Sequence, residues 1–401
     1  MTTHPSRPDL LARLAAARAQ VEAALGRRLR AASRETGEPG TLVVDGRRLL
    51  DFASNDYLGL AREEAVADAL ANAARRYGAG AGAAHLLGGH HDEHAALEED
   101  LGEWTGRPRA LLFSTGYMAN LGVMQAVLGA SEGAVCVQDK LDHACLIDGA
   151  RLAGAELRRY PHGDFEAARR QLEARPGAAA LLATDGVFSM DGDVAPLRAL
   201  SALCTEQQAL FMVDDAHGLG VLGPRGAGSL AEAGLDTAAA PVLMATLGKA
   251  LGVAGAFVAG PAALIDGLVQ FARAYVYTTA MPPALAAATR VALAIARDDA
   301  SRRERLARHV AQFRDGATAR GLALLPSRTP IQPVAIGDSD AAVRAATALE
   351  EAGFFVPAIR PPTVPRGGAR LRVTLSAAHA EADIERLLDA LARCVPAGGR
   401  A

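Results

Sequence analysis

Residues 209–218 read ALFMVDDAHG and residues 245–252 read ATLGKALG. Each opens as a short apolar run and closes in a turn that carries ionisable groups. These are Asp214, Asp215 and His217 in the first and Lys249 in the second. An apolar run without alternation marks a strand buried on both faces. From about residue 110 the pattern repeats. ALLF, AVCV, ALLAT, ALFMV, PVLMAT and AFVAG alternate with helical stretches such as ANLGVMQAVL, DFEAARRQLEA and APLRALSALCTEQQ. Apolar strands separated by helices predict an α/β fold, with a large, mostly parallel sheet sandwiched by helices.

The segments on either side extend this reading. Residues 9–30 carry apolar residues at helical spacing and predict an N-terminal amphipathic helix. GTLVVDGRRLLDFAS predicts a hairpin about a DG turn, and EEAVADALANAARRYG a helix ended by Gly78. After MPPALAAAT the pattern predicts one long helix to about residue 320. PVAIG, FFVPAI and RLRVTLS then read as strands, with helices at 339–352 and 380–394. The expected organisation is an N-terminal helix and arm over 1–45, a large domain over 46–285 and a smaller α+β domain over 286–401.

Composition narrows the function classes. The chain has 401 residues, 50% of them apolar, and a net charge of -3 with both signs interspersed. That balance points away from nucleic acid and from anionic membranes. The four cysteines show no CxxC spacing, no apolar run approaches the length of a membrane span, and MTTHPSRPDL lacks a signal-peptide core. The expected compartment is the cytoplasm.

Open α/β sheets bind ligands beyond the C-terminal ends of their strands, which is where Asp214 and Lys249 fall. A lysine amine that forms a Schiff base, with a carboxylate that keeps a ring nitrogen protonated, is the pair that pyridoxal 5'-phosphate (PLP) requires. Its other groups find candidates after other strands. In LLFSTGYMANLGVM a glycine turn opens a helix and aims free N–H groups at an anion, with Gly116 giving close approach and Tyr117 beside it. His217 is suited to the phenolic oxygen, as is Ser189 in LLATDGVFSMDGD. Thr246 suits the phosphate, and His143 in QDKLDHACLIDGA a face of the ring. Each alone has a plainer explanation as a cap, turn or core residue. Their joint placement, each just after a strand, is what points to PLP.

Two other motifs lead elsewhere. YGAGAGAAHLLGG has Ala83 where a dinucleotide fingerprint needs its third glycine, and a helix precedes it. GGHHDEHAALEE offers His90, His91 and His94 but no HExxH, so these read as surface histidines at a helix start and no metal is expected. A metal hydrolase built on them is one competing reading. A non-catalytic PLP-binding regulator is another, and it would need a basic DNA-binding domain for which charge and length leave no room.

Taken together, LLDFASNDYLGL, TGYMAN, DGVFSMDGD, VDDAHGLGVLG, TLGKALG, YVYTTAMPP, AIRPPTVPRG and RLRVTLSAAH resemble the α-oxoamine synthases of PLP fold type I, nearly end to end. The resemblance implies an acyltransferase that condenses an amino acid with an acyl thioester and releases carbon dioxide. IRPPTVP favours the member that uses L-alanine and a pimeloyl thioester, carried on coenzyme A or acyl-carrier protein, in biotin biosynthesis. Glycine C-acetyltransferase, 5-aminolevulinate synthase and serine palmitoyltransferase remain alternatives. By the same resemblance Lys249, His143 and Asp214 are catalytic. Gly116, Tyr117, Ser189, His217 and Thr246 contact the cofactor, and Thr278 and Thr279 reach the phosphate across a homodimer interface. Asn55 and Arg360 hold the amino-acid carboxylate, while Thr363 and Arg28 (or Arg27) contact acyl substrate. The chain departs from the family at Ala84-His85, where relatives usually read Ser-Arg.

Overall fold

The computed structural model describes residues 8–25, 30–33 and 38–395. Its centre is a seven-stranded sheet in the order Arg109–Phe113, Ala256–Gly260, Val242–Thr246, Leu210–Asp214, Ala180–Asp185, Val135–Asp139 and Glu156–Tyr160. All neighbours are parallel except those of Ala256–Gly260, which runs antiparallel to both of its own. Side chains alternate between two buried clusters: Leu112, Phe211, Val213 and Phe257 on one face, and Leu111, Met212, Met244 and Val258 on the other. Two dry faces explain why these strands read as unbroken apolar runs.

The antiparallel strand changes the local connection. Val242–Thr246 and Ala256–Gly260 are direct neighbours, with Thr246 opposite Ala256, so the Lys249 turn is a hairpin loop rather than a crossover. The loop is tied internally by Leu247 N–H to Gly255 O at 2.9 Å and Gly252 N–H to Lys249 O at 2.9 Å. Gly252 has φ +69°, and a Cβ there would lie 2.3 Å from the Ala61 nitrogen, so the turn packs directly against the backbone that follows SNDYLGL.

Two small sheets flank the large one. Ala32–Ser33, Thr41–Val44, Arg47–Asp51 and Phe354–Phe355 form one, and Ile331–Gly337, Ala369–Thr374 and Ala358–Ile359 the other. The DG turn is as expected, with positive φ at Asp45 and Gly46. FFVPAI is not one strand: its first half joins the N-terminal sheet and its second the C-terminal one, divided at Val356-Pro357. Three other expectations change. Glu156–Tyr160 was not expected as a strand, because an edge strand rich in arginine carries no apolar run. The long helix is two, Pro283–Asp298 and Ala300–Ala319, because Asp299 leaves the helical region and caps the second by accepting from Ser301 N–H. The first packs on Glu64–Tyr77 and the second on Glu381–Cys394. The N-terminal helix spans Leu10–Leu25 with Leu10, Leu11 and Leu14 exposed, and among the described residues none covers an apolar face of it over residues 10–22. No helix among the described residues is long and apolar enough to cross a membrane.

Loops at the C-terminal edge are braced by His162. Its Nδ1 lies 3.1 Å from Asp139 Oδ2 and its Nε2 2.9 Å from Asp193 Oδ2, which joins the ends of two strands to the loop that carries Ser189. Burial opposes the imidazolium, but bonds to Asp139 and then Asp193 outweigh it and push the imidazole up to about 10. A pKa raised on folding stabilises the fold below the unfolded value, about 6.5, and the effect is lost as pH rises through the folded one. The melting temperature should therefore fall between about pH 6.5 and about 10 more steeply in the wild type than in His162→Gln. Parallel slopes in a pH-resolved thermal scan would refute this.

Candidate active site

Strand ends from the large sheet converge on a cavity of about 160 Å³ lined by Gly116, Tyr117, His143, Cys145, Asp185, Ser189, Asp214, Ala216, His217, Met244, Thr246 and Lys249. The eight positions expected from the strand pattern all lie on its wall. A larger opening of about 440 Å³ adjoins it, bounded by Asn55 and by Gly248 and Gly252 on the other side of the lysine turn.

Lys249 Nζ lies 3.0 Å from His217 Nε2. Burial lowers the pKa of the amine from its ordinary value, against the pull of Asp214 and Asp185. His217 is held well below its usual value, by burial first and then by the positive charges of Lys249 and Arg372. An amine whose pKa burial lowers, beside an imidazole that resists protonation, is more readily available to attack a carbonyl carbon.

Asp214 is fixed from two sides: Oδ2 accepts from Asn120 Nδ2 at 2.7 Å and Oδ1 from Ala216 N–H at 3.1 Å. Its neighbour Asp215 faces away and accepts from Ser229 N–H at 2.7 Å, so only the first acid of the pair serves the cavity. The backbone N–H of His143 donates to Asp185 Oδ2 at 3.1 Å, and its ring Nδ1 lies 2.8 Å from the thiol of Cys145. Thr115 caps the helix Gly116–Leu128 by accepting from Met118 N–H at 3.2 Å. Tyr117 donates to Asp148 Oδ2 at 2.6 Å.

Residues assigned from resemblance are more dispersed. Asn55 Oδ1 accepts from Arg372 Nη2 at 3.2 Å. Arg360 instead borders a separate cavity of about 230 Å³ with Arg30 and Glu350, and Thr363 is exposed. Thr278 and Thr279 are not on the Lys249 wall; Thr279 forms a bridge with Ala84 at the surface. Arg27 and Arg28 lie outside the described residues. Sequence reasoning missed Arg372, whose Nε donates to Ser189 O at 2.6 Å and whose Nη1 donates to Thr374 Oγ1 at 2.9 Å. It also missed Tyr57, Asn120 and Asp185. The signal for Asp185 was present, since it ends an apolar run as Asp214 does.

His90 is exposed and His91 half-buried at the helix start, as expected of surface groups, but His94 is not. His94 is fully buried, and His85, in the departure from the family pattern, is buried and stacks on Tyr275 at 4.8 Å. His85, His90 and His94 bring ring nitrogens within 4.8 Å of one another. Both nitrogens of His94 are already engaged, Nδ1 by His91 N–H at 2.9 Å and Nε2 by Met281 O at 2.8 Å. Its lone pair is therefore committed to the helix start.

The model of the family described as aminotransferase class I and II matches residues 47–391. The chain is 57% identical to 8-amino-7-oxononanoate synthase of Stenotrophomonas maltophilia over 96% of its own length and 94% of that protein's. It is also 57% identical to the Xanthomonas campestris pv. campestris protein of that name, over 87% of each. Among solved structures, Sphingomonas wittichii serine palmitoyltransferase superposes with a TM-score of 0.90 at 29% identity, over 97% of this chain and 100% of that one. The 8-amino-7-oxononanoate synthase of Francisella tularensis does so at 0.75 and 30%, over 86% and 97%.

The cavity fits PLP. Thr246 Oγ1 is buried without a partner, as expected of a group awaiting a ligand oxygen. Gly116 leaves room where a Cβ would come within 2.8 Å of Thr246 Cγ2. Thr246→Val should leave the melting temperature of the cofactor-free protein unchanged or higher, while the Kd for PLP in a fluorescence titration rises about tenfold. An unchanged Kd would remove Thr246 from the site. By family match, by relatives and by the chemistry of this cavity, the chain belongs to the class I and II aminotransferase family and, within it, to the PLP-dependent 8-amino-7-oxononanoate synthases.

Proposed function

We propose that this chain condenses L-alanine with a pimeloyl thioester, on coenzyme A or acyl-carrier protein, to give 8-amino-7-oxononanoate, carbon dioxide and free thiol. The observation that carries the reading is the single cavity holding Lys249, Asp214, His217 and His143 in a chain 57% identical to proteins of that name. PLP, when bound, supplies an aldehyde for the substrate amine and a ring that takes up the electron pair left at Cα. Asp214, oriented by Asn120 and Ala216 N–H, keeps a proton on the ring nitrogen. His217 and Ser189 hold the phenolic oxygen, while Thr246 and the Gly116-Tyr117 helix start hold the phosphate. Lys249, whose pKa burial lowers, takes the Cα proton and returns it after carbon dioxide leaves. His143 would lie against the ring and contact the substrate's carboxylate.

Arg372 is the better candidate for that carboxylate: it is buried, bonded to Asn55, and close enough to Lys249 to lower its pKa. Arg360, Thr363 and Arg28 are left to the acyl substrate. We place the reaction in the cytoplasm and in a homodimer, with Thr278 and Thr279 completing a partner's phosphate site. Exposed Leu86, Leu87 and Tyr277, near the bridge between Ala84 and Thr279, support a covered face there.

Lys249→Ala should abolish both turnover and the absorbance of lysine-bound cofactor; near wild-type turnover would sink the assignment. Arg372→Ala should raise the KM for alanine by about 30-fold, the loss of about 2 kcal/mol from a charge-assisted pair, and Arg360→Ala by much less. The reverse order in steady-state kinetics would return the role to Arg360. The likeness to serine palmitoyltransferase makes that activity the second reading. Alanine, glycine and serine assayed with pimeloyl, acetyl and palmitoyl thioesters decide between them.

A further inference from the structure

Tyr57 has no part in the reaction above, yet it sits at the middle of the site's longest hydrogen-bonded line. Its ring is fully buried. Its hydroxyl lies 2.6 Å from His217 Nδ1 and 3.3 Å from Asn55 Oδ1. Beyond His217, Nε2 lies 3.0 Å from Lys249 Nζ; beyond Asn55, the same Oδ1 accepts from Arg372 Nη2 at 3.2 Å. Five side chains therefore connect the amine that anchors the cofactor to the guanidinium proposed for the substrate carboxylate. Burial pushes the phenol up to about 12, so Tyr57 keeps its proton through the neutral range. That proton faces two acceptors and serves only one of them fully.

We propose that Tyr57 is a positioning residue that transmits occupancy of the Arg372 end of the site to His217. When a ligand carboxylate draws Arg372 Nη2 away, Asn55 Oδ1 loses a donor and competes harder for the Tyr57 proton. What Asn55 gains, His217 Nδ1 loses, and the other ring nitrogen of His217 changes as a hydrogen-bonding group. Chains of buried hydrogen bonds polarise one another in this way. A carboxylate without an amine is then sensed beside Lys249. The inference rests on reading Lys249 and His217 as cofactor ligands and Arg372 as the carboxylate ligand.

Tyr57→Phe removes the hydroxyl and keeps the ring. Propionate, which is alanine without its amine, is the probe, added to the PLP-loaded enzyme. The wild type should show a change in cofactor absorbance, and the variant a change smaller by about fivefold or more, although propionate still competes with alanine to within about threefold. A full-sized response in Tyr57→Phe, or none in the wild type at saturating propionate, overturns the coupling. If the variant does not fold, the nitrogen resonance of His217 Nδ1 in wild-type enzyme should move on adding propionate, and a fixed resonance overturns it too. The two readings fail differently. A wild type with no lysine-bound cofactor absorbance sinks the assignment of the site, whereas normal absorbance with an unaltered response in Tyr57→Phe sinks only the coupling.

Discussion

A buried primary amine without a carboxylate partner cannot stay charged cheaply, and the site is arranged around that constraint. Lys249 is surrounded by protein, and the atom it meets is an imidazole nitrogen rather than an acid. The nearby acid, Asp214, is drawn off by the Asn120 amide and the Ala216 N–H. Asn120 thus fixes the orientation of the carboxylate and occupies an oxygen that could otherwise pair with the amine. Because an ionised carboxylate accepts only, the Asn120 amide must present its nitrogen, which also donates to Cys145 Sγ at 2.9 Å. A single asparagine in the helix Gly116–Leu128 therefore ties the acid to the segment that carries His143.

The sheet supplies the other half of the arrangement. Parallel strands end together, so residues distant in sequence reach one edge without any of them being adjacent in the chain. This is why so much of the site was legible. Asp214, Lys249, Thr246, Ser189, His143 and Gly116 each follow an apolar run, and an apolar run announces its own end. Tyr57 and Arg372 carry no such marker. Tyr57 lies in the segment after a short strand of a different sheet. Arg372 alternates with Leu371 and Val373 on a strand that reads as half polar, and only packing shows that its polar side is buried against Ser189 and Asn55 and not solvated. The histidine-rich segment misled for a related reason. Polar residues at a helix start are normally solvated, but here the Tyr275–Met281 stretch lies over them, and its Met281 carbonyl takes up the His94 proton.

Where regular structure ended was also decided by single side chains. Asp299 has the right apolar periodicity around it to continue a helix, yet its carboxylate satisfies the next helix's free N–H and divides one expected helix into two. Pro357 likewise sends the two halves of FFVPAI to different sheets.

The hairpin that carries Lys249 also bears on how the site is assembled during folding. Strands Val242–Thr246 and Ala256–Gly260 are joined by a short loop, so their pairing needs little loop-closure entropy and belongs to the most local contacts of the sheet. Asp214 and His217 reach the cavity only once parallel neighbours joined by long crossovers have paired. The order of assembly implied is asymmetric: the reactive lysine is set in its turn early and the groups that make it useful arrive late. With Lys249 in its proposed role, covalent capture of the cofactor would report on the slow, non-local pairing of the sheet, and the rate at which refolding chains acquire PLP would measure that pairing.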